Sequence, residues 1–161
     1  AGLPTDPPES FKNSLDSIVR LNAECITVHT LCMKRASRLT TEGVTLDLQQ
    51  ARDAREMLAY TQNILGQNEY IPYYMYRQSR MVGNLENVGW SKKGFESLYN
   101  VYVMDETHTI LACGSGGVTK LKRNNPDYLE RIFNFKYPYE YIDRFDELIQ
   151  RKSGIMQFYG Q

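Results

Sequence analysis

YIPYYMYRQSRMVGNLENVGWSKKGFESLYNVYVMDETHTILACGSGGVTKL, residues 70–121, is the stretch on which the reading of this chain turns. It opens with an apolar aromatic run, Tyr70 to Tyr76, the composition that a pleated, half-buried surface selects. From Ser79 to Gly94 it turns polar, with Gly83, Gly89 and Gly94 among Asn84, Glu86 and Asn87 and the single tryptophan, Trp90, in their midst. A segment of about sixteen residues without periodicity predicts a long functional loop. Trp90 and Phe95 argue against disorder, which goes with few aromatics and many charges. Strand composition resumes over 98–104 and 109–113, with Asp105-Glu106-Thr107-His108 between them as a hairpin turn. The second of these strands runs into Gly114-Ser115-Gly116-Gly117.

Toward the amino terminus, Asp6-Pro7-Pro8-Glu9 predicts a helix start, with Asp6 as N-cap, prolines in the first turn and a glutamate three residues on. Phe11, Leu15, Ile18 and Val19 repeat at helical spacing as one apolar stripe, ending near Asn22. Cys25 to Leu31 is β-branched and glycine-free, which predicts a strand buried on both faces. Helix, short loop and buried strand make half of a βαβ unit, and Gly2-Leu3-Pro4 as the exit of a preceding strand completes it. Residues 32–44 form a polar connection. Thr45 is the expected cap of a helix through Leu65, with Leu48, Ala51, Leu58, Thr61 and Leu65 inward, Arg52, Arg55 and Glu56 in water, and Gly66 as C-cap. Toward the carboxyl terminus, Lys122 to Pro126 is a turn, Arg131 to Lys136 a short strand, and Pro138 opens a final helix with Tyr141, Ile142, Phe145, Leu148 and Ile149 inward, ending near Ser153-Gly154.

With 161 residues the chain is long enough to bury roughly 70% of its unfolded surface in a real core. Lysine plus arginine equals aspartate plus glutamate at 19 each, so no net field favours nucleic acid or an acidic membrane. No apolar run approaches the roughly twenty residues that cross a bilayer. Cys25, Cys32 and Cys113 are odd in number and too sparse for a disulfide framework, which fits a reducing cytosol. They read as small buried hydrophobes. The chain is expected to be a cytoplasmic piece of a longer protein, because residue 1 falls inside a strand-exit motif.

Several segments together carry a resemblance. Tyr73-Tyr74-Met75-Tyr76-Arg77-Gln78 (YxMYRQ), Gly83 to Gly89 (GNLENVG), Gly94-Phe95-Glu96-Ser97-Leu98-Tyr99-Asn100 and the run from Ala112 to Lys120 stand in an order similar to the carboxy-terminal half of oxygen-independent coproporphyrinogen dehydrogenases, radical S-adenosylmethionine (SAM) enzymes of haem synthesis. Gly2-Leu3-Pro4 is similar to that family's barrel element, and Thr27 to Leu31 with Lys34-Arg35-Ala36-Ser37 resembles its next barrel strand and loop. The resemblance implies an α/β to α+β architecture. The last βα units of an incomplete radical SAM (TIM-like) barrel, residues 1–66, would precede a family-specific α+β domain, residues 67–161, made of a small mixed sheet with packed helices. It implies oxidative decarboxylation of two coproporphyrinogen III propionates to vinyl groups. It implies a [4Fe-4S] cluster and SAM in the full-length protein, and a tetrapyrrole substrate. The family's CxxxCxxC is absent here, so the cluster ligands are expected in the amino-terminal part of the same polypeptide, and this piece alone is expected to be inactive, with no catalytic or metal-ligating residue of its own.

Within this frame, Gly2 and His29 would lie on the SAM side. His29 sits near the carboxyl end of a barrel-like strand, the rim where barrel sites gather, although a lone histidine in an apolar strand is more often a hydrogen-bonded core residue. His108 is expected at the surface. Gly114 to Gly117 misses the P-loop spacing and reads as a tight turn or close backbone approach. The chain has twelve tyrosines, and Tyr73, Tyr74 and Tyr76 crowd one strand. Two readings stay open for them. They wall a flat anionic tetrapyrrole, with Tyr74, Arg77, Arg80 and Lys92 as substrate-binding residues and the cations on propionates, or they fill a sheet–helix interface. Beside the enzyme stand two alternatives: a haem-handling relative that does not decarboxylate, and a non-enzymatic α+β binding module.

Overall fold

The computed structural model describes residues 1–34 and 37–160. Arg35 and Ala36, part of the second barrel-like segment, lie outside the described residues. The chain forms two compact units, 1–104 and 105–161. The division expected at 66/67 is one of family segments, and it does not coincide with this division of contacts.

In the first unit, α1 (Pro8–Arg20) leads to β1 (Cys25–Val28), a single-turn α2 (Arg38–Thr41) and the long α3 (Leu48–Gln67), then β2 (Tyr70–Tyr76), β3 (Asn87–Lys92) and α4 (Leu98–Asp105). The strands make an antiparallel sheet in the order β1-β3-β2. Pro7, not Asp6, is the N-cap of α1, without a side-chain cap bond. Asp47, not Thr45, caps α3, in a reciprocal capping box with Gln50. Asn68 ends α3, and Gly66 lies inside it. Because the α3 stripe follows from that start, it buries Ala54, Met57, Thr61 and Leu65, while Leu48 is 79% exposed. Arg52, Arg55 and Glu56 are in water, as expected. α1 and α3 close one face of the sheet over a core of Leu15, Ile26, Val28, Leu65, Tyr70 and Trp90.

Several expectations fail here, for physical reasons. The strand at Cys25 alternates in burial, with Ile26 and Val28 inside and Cys25 and Thr27 on the other face, so it is an edge strand buried on one face and pairs antiparallel. Asn87 to Lys92, expected within a loop, is the central strand. Its polar residues disguise it, and they are satisfied inside the fold: Asn87 Oδ1 accepts from Thr30 N at 2.8 Å, and fully buried Ser91 donates to Lys92 O at 2.9 Å. Residues 98–104 form a helix despite their strand-like composition, a case of context overriding propensity. The cysteines are not buried. Cys25 and Cys113 are exposed, Cys32 is half-buried, and Cys25 and Cys32 donate to Phe95 O and Ser79 O.

A trace of the expected βαβ unit survives in the backbone. Ala1 N donates to His29 O at 2.6 Å and Leu31 N donates to Ala1 O at 2.8 Å, the alternation of parallel pairing. On its other side the same segment pairs antiparallel through Cys32 and Met81.

The second unit is a hairpin, β4 (Val118–Asn124) and β5 (Asp127–Phe133), with α5 (Pro138–Asp143), α6 (Phe145–Lys152) and α7 (Gly154–Tyr159). The expected strand at 109–113 is reduced to one bridge, Ile110 with Lys120, and Asp105 to His108 joins no hairpin. The turn expected over Lys122 to Pro126 is confined to Asn125-Pro126, because Lys122 to Asn124 belong to β4, and the following strand begins at Asp127, not Arg131. The single final helix is broken into three. Leu148 alone of its expected inward residues is buried, whereas Ile142 is 71% exposed. Leu121, Ile132 and Phe158 form a buried cluster, and Phe135 and Leu148 are buried as well. The glycine run is the expected tight turn: Gly116 N donates to Phe135 O at 2.7 Å, Asn134 Nδ2 to Gly114 O at 2.7 Å, and a Cβ at Gly117 would lie 3.0 Å from Cys113 O. Its donors serve the protein itself.

Glu106 accepts from Lys120 Nζ at 2.7 Å and Arg131 at 2.8 Å. The Lys120 hydrogen bond holds its carboxyl below the usual glutamate range, against a smaller opposing effect of burial. A carboxylate with a depressed folded-state pKa contributes stability above its unfolded value, and that contribution disappears as pH falls through the folded one. Glu106→Gln should therefore unfold at lower urea than wild type at neutral pH. The gap should close between about pH 5 and about pH 3 in urea titrations at stepped pH; a gap constant across that window would exclude the role.

Candidate functional site

The face of the first sheet opposite the helices is the candidate site. Thr27, Gly89 and Tyr74 lie in register across the three strands. A register shift between Pro72 and Tyr74 sets the phase of β2, so that Tyr74 comes opposite Gly89. The Tyr74 ring then crosses the central strand, and its hydroxyl meets Thr27 Oγ1 on β1 at 3.0 Å. Only glycine permits this: a Cβ built at residue 89 would fall 1.8 Å from Tyr74 Cε1. Tyr76 lies parallel to Tyr74, with 6.4 Å between ring centroids and 5° between planes, and its hydroxyl is 3.3 Å from His29 Nδ1. Tyr73 stands edge-on to Tyr74 at 4.8 Å, and its hydroxyl accepts from Asn100 Nδ2 at 2.8 Å. Burial pushes the Tyr73 phenol above its ordinary value, with the Asn100 bond opposing, so it stays a neutral hydroxyl.

The sequence-derived residues are only partly brought together. Tyr74 is central to the face, and His29, exposed, stands at its edge beside Tyr76. Arg77 is exposed and ion-paired with Glu86. Arg80 is exposed on a backbone with φ of 63°, its carbonyl accepting from Met33 N. Lys92 is not part of this group. It pairs with Tyr70 at the far end of β3, about 10 Å of strand from Gly89, where its ammonium binds the Asn22 side chain and lies 5.4 Å over the buried Tyr70 ring. Gly2 is buried with φ of 83°, its N–H donating to Met57 Sδ at 3.2 Å, and a Cβ there would be 3.3 Å from Ala54 Cβ. Gly2 borders a cavity of about 200 Å³ with Asp6, Gln50 and Asp53, whereas His29 borders one of about 140 Å³ with Phe11, Leu15 and Ile18. His29 is joined to Ala1, the neighbour of Gly2, through the backbone, and the two cavities have different linings.

Sequence reasoning missed Thr27 as a partner and Gly89 as the residue that makes the face possible. Thr27 was one β-branched residue among several. For Gly89 the available signal was its place directly before the only tryptophan, with valine on its other side. Among the described residues, no three His, Cys, Asp or Glu side chains converge as a metal-holding group, and no helix is long and apolar enough to cross a membrane.

No family model matches the chain, and no solved structure matches it. A curated protein does. The chain is 35% identical over 156 residues, 97% of its length, to the oxygen-independent coproporphyrinogen-III oxidase-like protein HemZ of Bacillus subtilis (strain 168). It spans 31% of that protein's length. Its small mixed α/β architecture with two small sheets is consistent with such a part. At this level of identity, running almost end to end through the ordered motifs of residues 70–121, the chain is similar to the oxygen-independent coproporphyrinogen-III oxidase-like protein over about a third of that protein's length.

Proposed function

We propose that this chain is the carboxy-terminal part of a radical SAM oxidoreductase that oxidatively decarboxylates coproporphyrinogen III in the cytoplasm. In this reading residues 1–66 end the barrel, residues 67–161 form the family-specific domain, and the amino-terminal part of the same polypeptide is the essential partner. The observation that carries the proposal is the 35% identity over 97% of the chain. The paired backbone of Ala1 with His29 and Leu31 supports a barrel-like crossover at its start.

The described residues of this chain do not fit a cluster-holding role, so no step is assigned to a metal here. In the intact enzyme the [4Fe-4S] cluster and SAM would supply the hydrogen-abstracting chemistry. This chain would supply binding: Gly2 and His29 toward SAM, Tyr74 against the tetrapyrrole, and Arg77 and Arg80 toward its propionates, with the guanidiniums as bidentate partners. Lys92, with its ammonium taken up by Asn22 and Tyr70, would act on a propionate only after leaving those contacts.

The test is anaerobic reconstitution of the full-length protein with iron and sulfide, following SAM-dependent release of carbon dioxide from coproporphyrinogen. Arg80→Ala should raise the KM for coproporphyrinogen about tenfold, the value of one charge-assisted contact, and leave SAM cleavage intact. Unchanged substrate affinity would remove Arg80 from the site. SAM turnover without decarboxylation would favour a haem-handling relative.

A further inference from the structure

Tyr74 is fixed on every side that the fold can reach. Its hydroxyl is bound by Thr27 at 3.0 Å, the Tyr73 ring stands edge-on at 4.8 Å, the Tyr76 ring lies parallel at 6.4 Å, and the bare backbone of Gly89 lies beneath it. Tyr74 is nevertheless half-buried and not fully enclosed. A buried brace would need no open face, and a freely rotating surface tyrosine would need no glycine under it. The arrangement is that of a pre-oriented aromatic platform, which binds planar rings at low entropic cost. Because the phenol is engaged by Thr27, the surface offered to a ligand is the ring and not the hydroxyl. Tyr76, held by His29, extends the same surface.

We infer that Thr27 and Gly89 are positioning residues that lock Tyr74 across the sheet as the stacking platform for one pyrrole ring of a tetrapyrrole. This rests on the substrate class proposed above. The role separates Thr27 from a direct ligand contact in a way that can be measured. If the Thr27–Tyr74 hydrogen bond acts only by orienting the ring, deleting it from either end must have the same effect, and deleting both ends must add nothing.

The experiment is a Soret-band absorbance titration of the full-length protein with coproporphyrin III. Thr27→Val and Tyr74→Phe should each weaken binding by about three- to tenfold, the range of one aromatic stacking contact. The double variant should be no weaker than either, Thr27→Ser should bind as wild type, and all four should unfold in a single urea transition with a folded baseline at the titration conditions. Binding by Thr27→Val equal to wild type, or multiplicative losses in the double variant, would overturn the positioning role while leaving the tetrapyrrole reading intact. A wild-type protein that does not bind coproporphyrin III would overturn both.

Discussion

Gly89→Ala should destabilise the first unit by about 2–3 kcal/mol, the cost of forcing an extra carbon into a closed site, and Tyr74→Ala should remove most of that penalty. The argument is steric. The three atoms nearest a Cβ at residue 89 are Cε1, Cδ1 and Cζ of Tyr74, at 1.8, 2.4 and 2.6 Å, all closer than real Cβ contacts come. The ring must leave, and with it go the hydrogen bond to Thr27 and the packing on Tyr73 and Tyr76. Gly89 carries no positive φ, so backbone strain from the alanine is not the cause. With Tyr74 already truncated, the extra methyl enters open space and the Gly89→Ala increment should shrink below about 1 kcal/mol, a coupling readable in a double-mutant cycle of urea midpoints. Equal penalties in both backgrounds would mean that something other than the Tyr74 ring crowds the strand.

This pair also marks where the sequence is readable and where it is not. The helix at Pro8–Arg20 follows from its apolar spacing and its prolines, and Tyr70–Tyr76 follows from aromatic composition, because in both cases the local signal and the burial agree. The central strand escapes a local reading because every feature that makes it central is supplied by a partner distant in sequence. Asn87 is paid for by Thr30, Gly89 by Tyr74, and Trp90 by Leu15 and Leu65. Taken alone, Asn, Gly and Ser in five residues are turn formers. Residues 98–104 err in the opposite direction, since valine and tyrosine prefer strands only where a neighbouring strand is available. The candidate site shows the same split. Tyr74 is legible as an aromatic on a half-buried strand, but that its hydroxyl is used up, and that Lys92 lies at the other end of β3, depend on register, which a bulge between Pro72 and Tyr74 resets.

Leu121→Ala should cost the second unit about 3–4 kcal/mol, in the upper part of the range for emptying a core leucine site. Leu121 has no exposed surface, and among the described residues it clusters with Ile132 and Phe158, with Ile155 packed against them. A core this small has few neighbours able to move into the vacated volume, so the cavity term adds to the lost transfer energy. Its surroundings are also tied down. Arg123 donates to Phe158 O at 2.5 Å and lies 4.8 Å over the Phe158 ring, and fully buried Thr119 is held by Lys152 Nζ at 2.7 Å. Leu111, 62% exposed in the same unit, is the control, and Leu111→Ala should change stability by less than about 0.5 kcal/mol. Hydrogen exchange of the β4 and β5 amides gives the measurement at residue level. In Leu121→Ala their protection should fall together, and by as much as the urea-derived loss, because among the described residues the two-stranded hairpin has beyond its own ladder one bridge, Lys120 with Ile110, to hold it once the face beneath it is hollowed. Protection retained in β4 and β5 would show that the hairpin's own ladder, and not the leucine beneath it, keeps the unit closed.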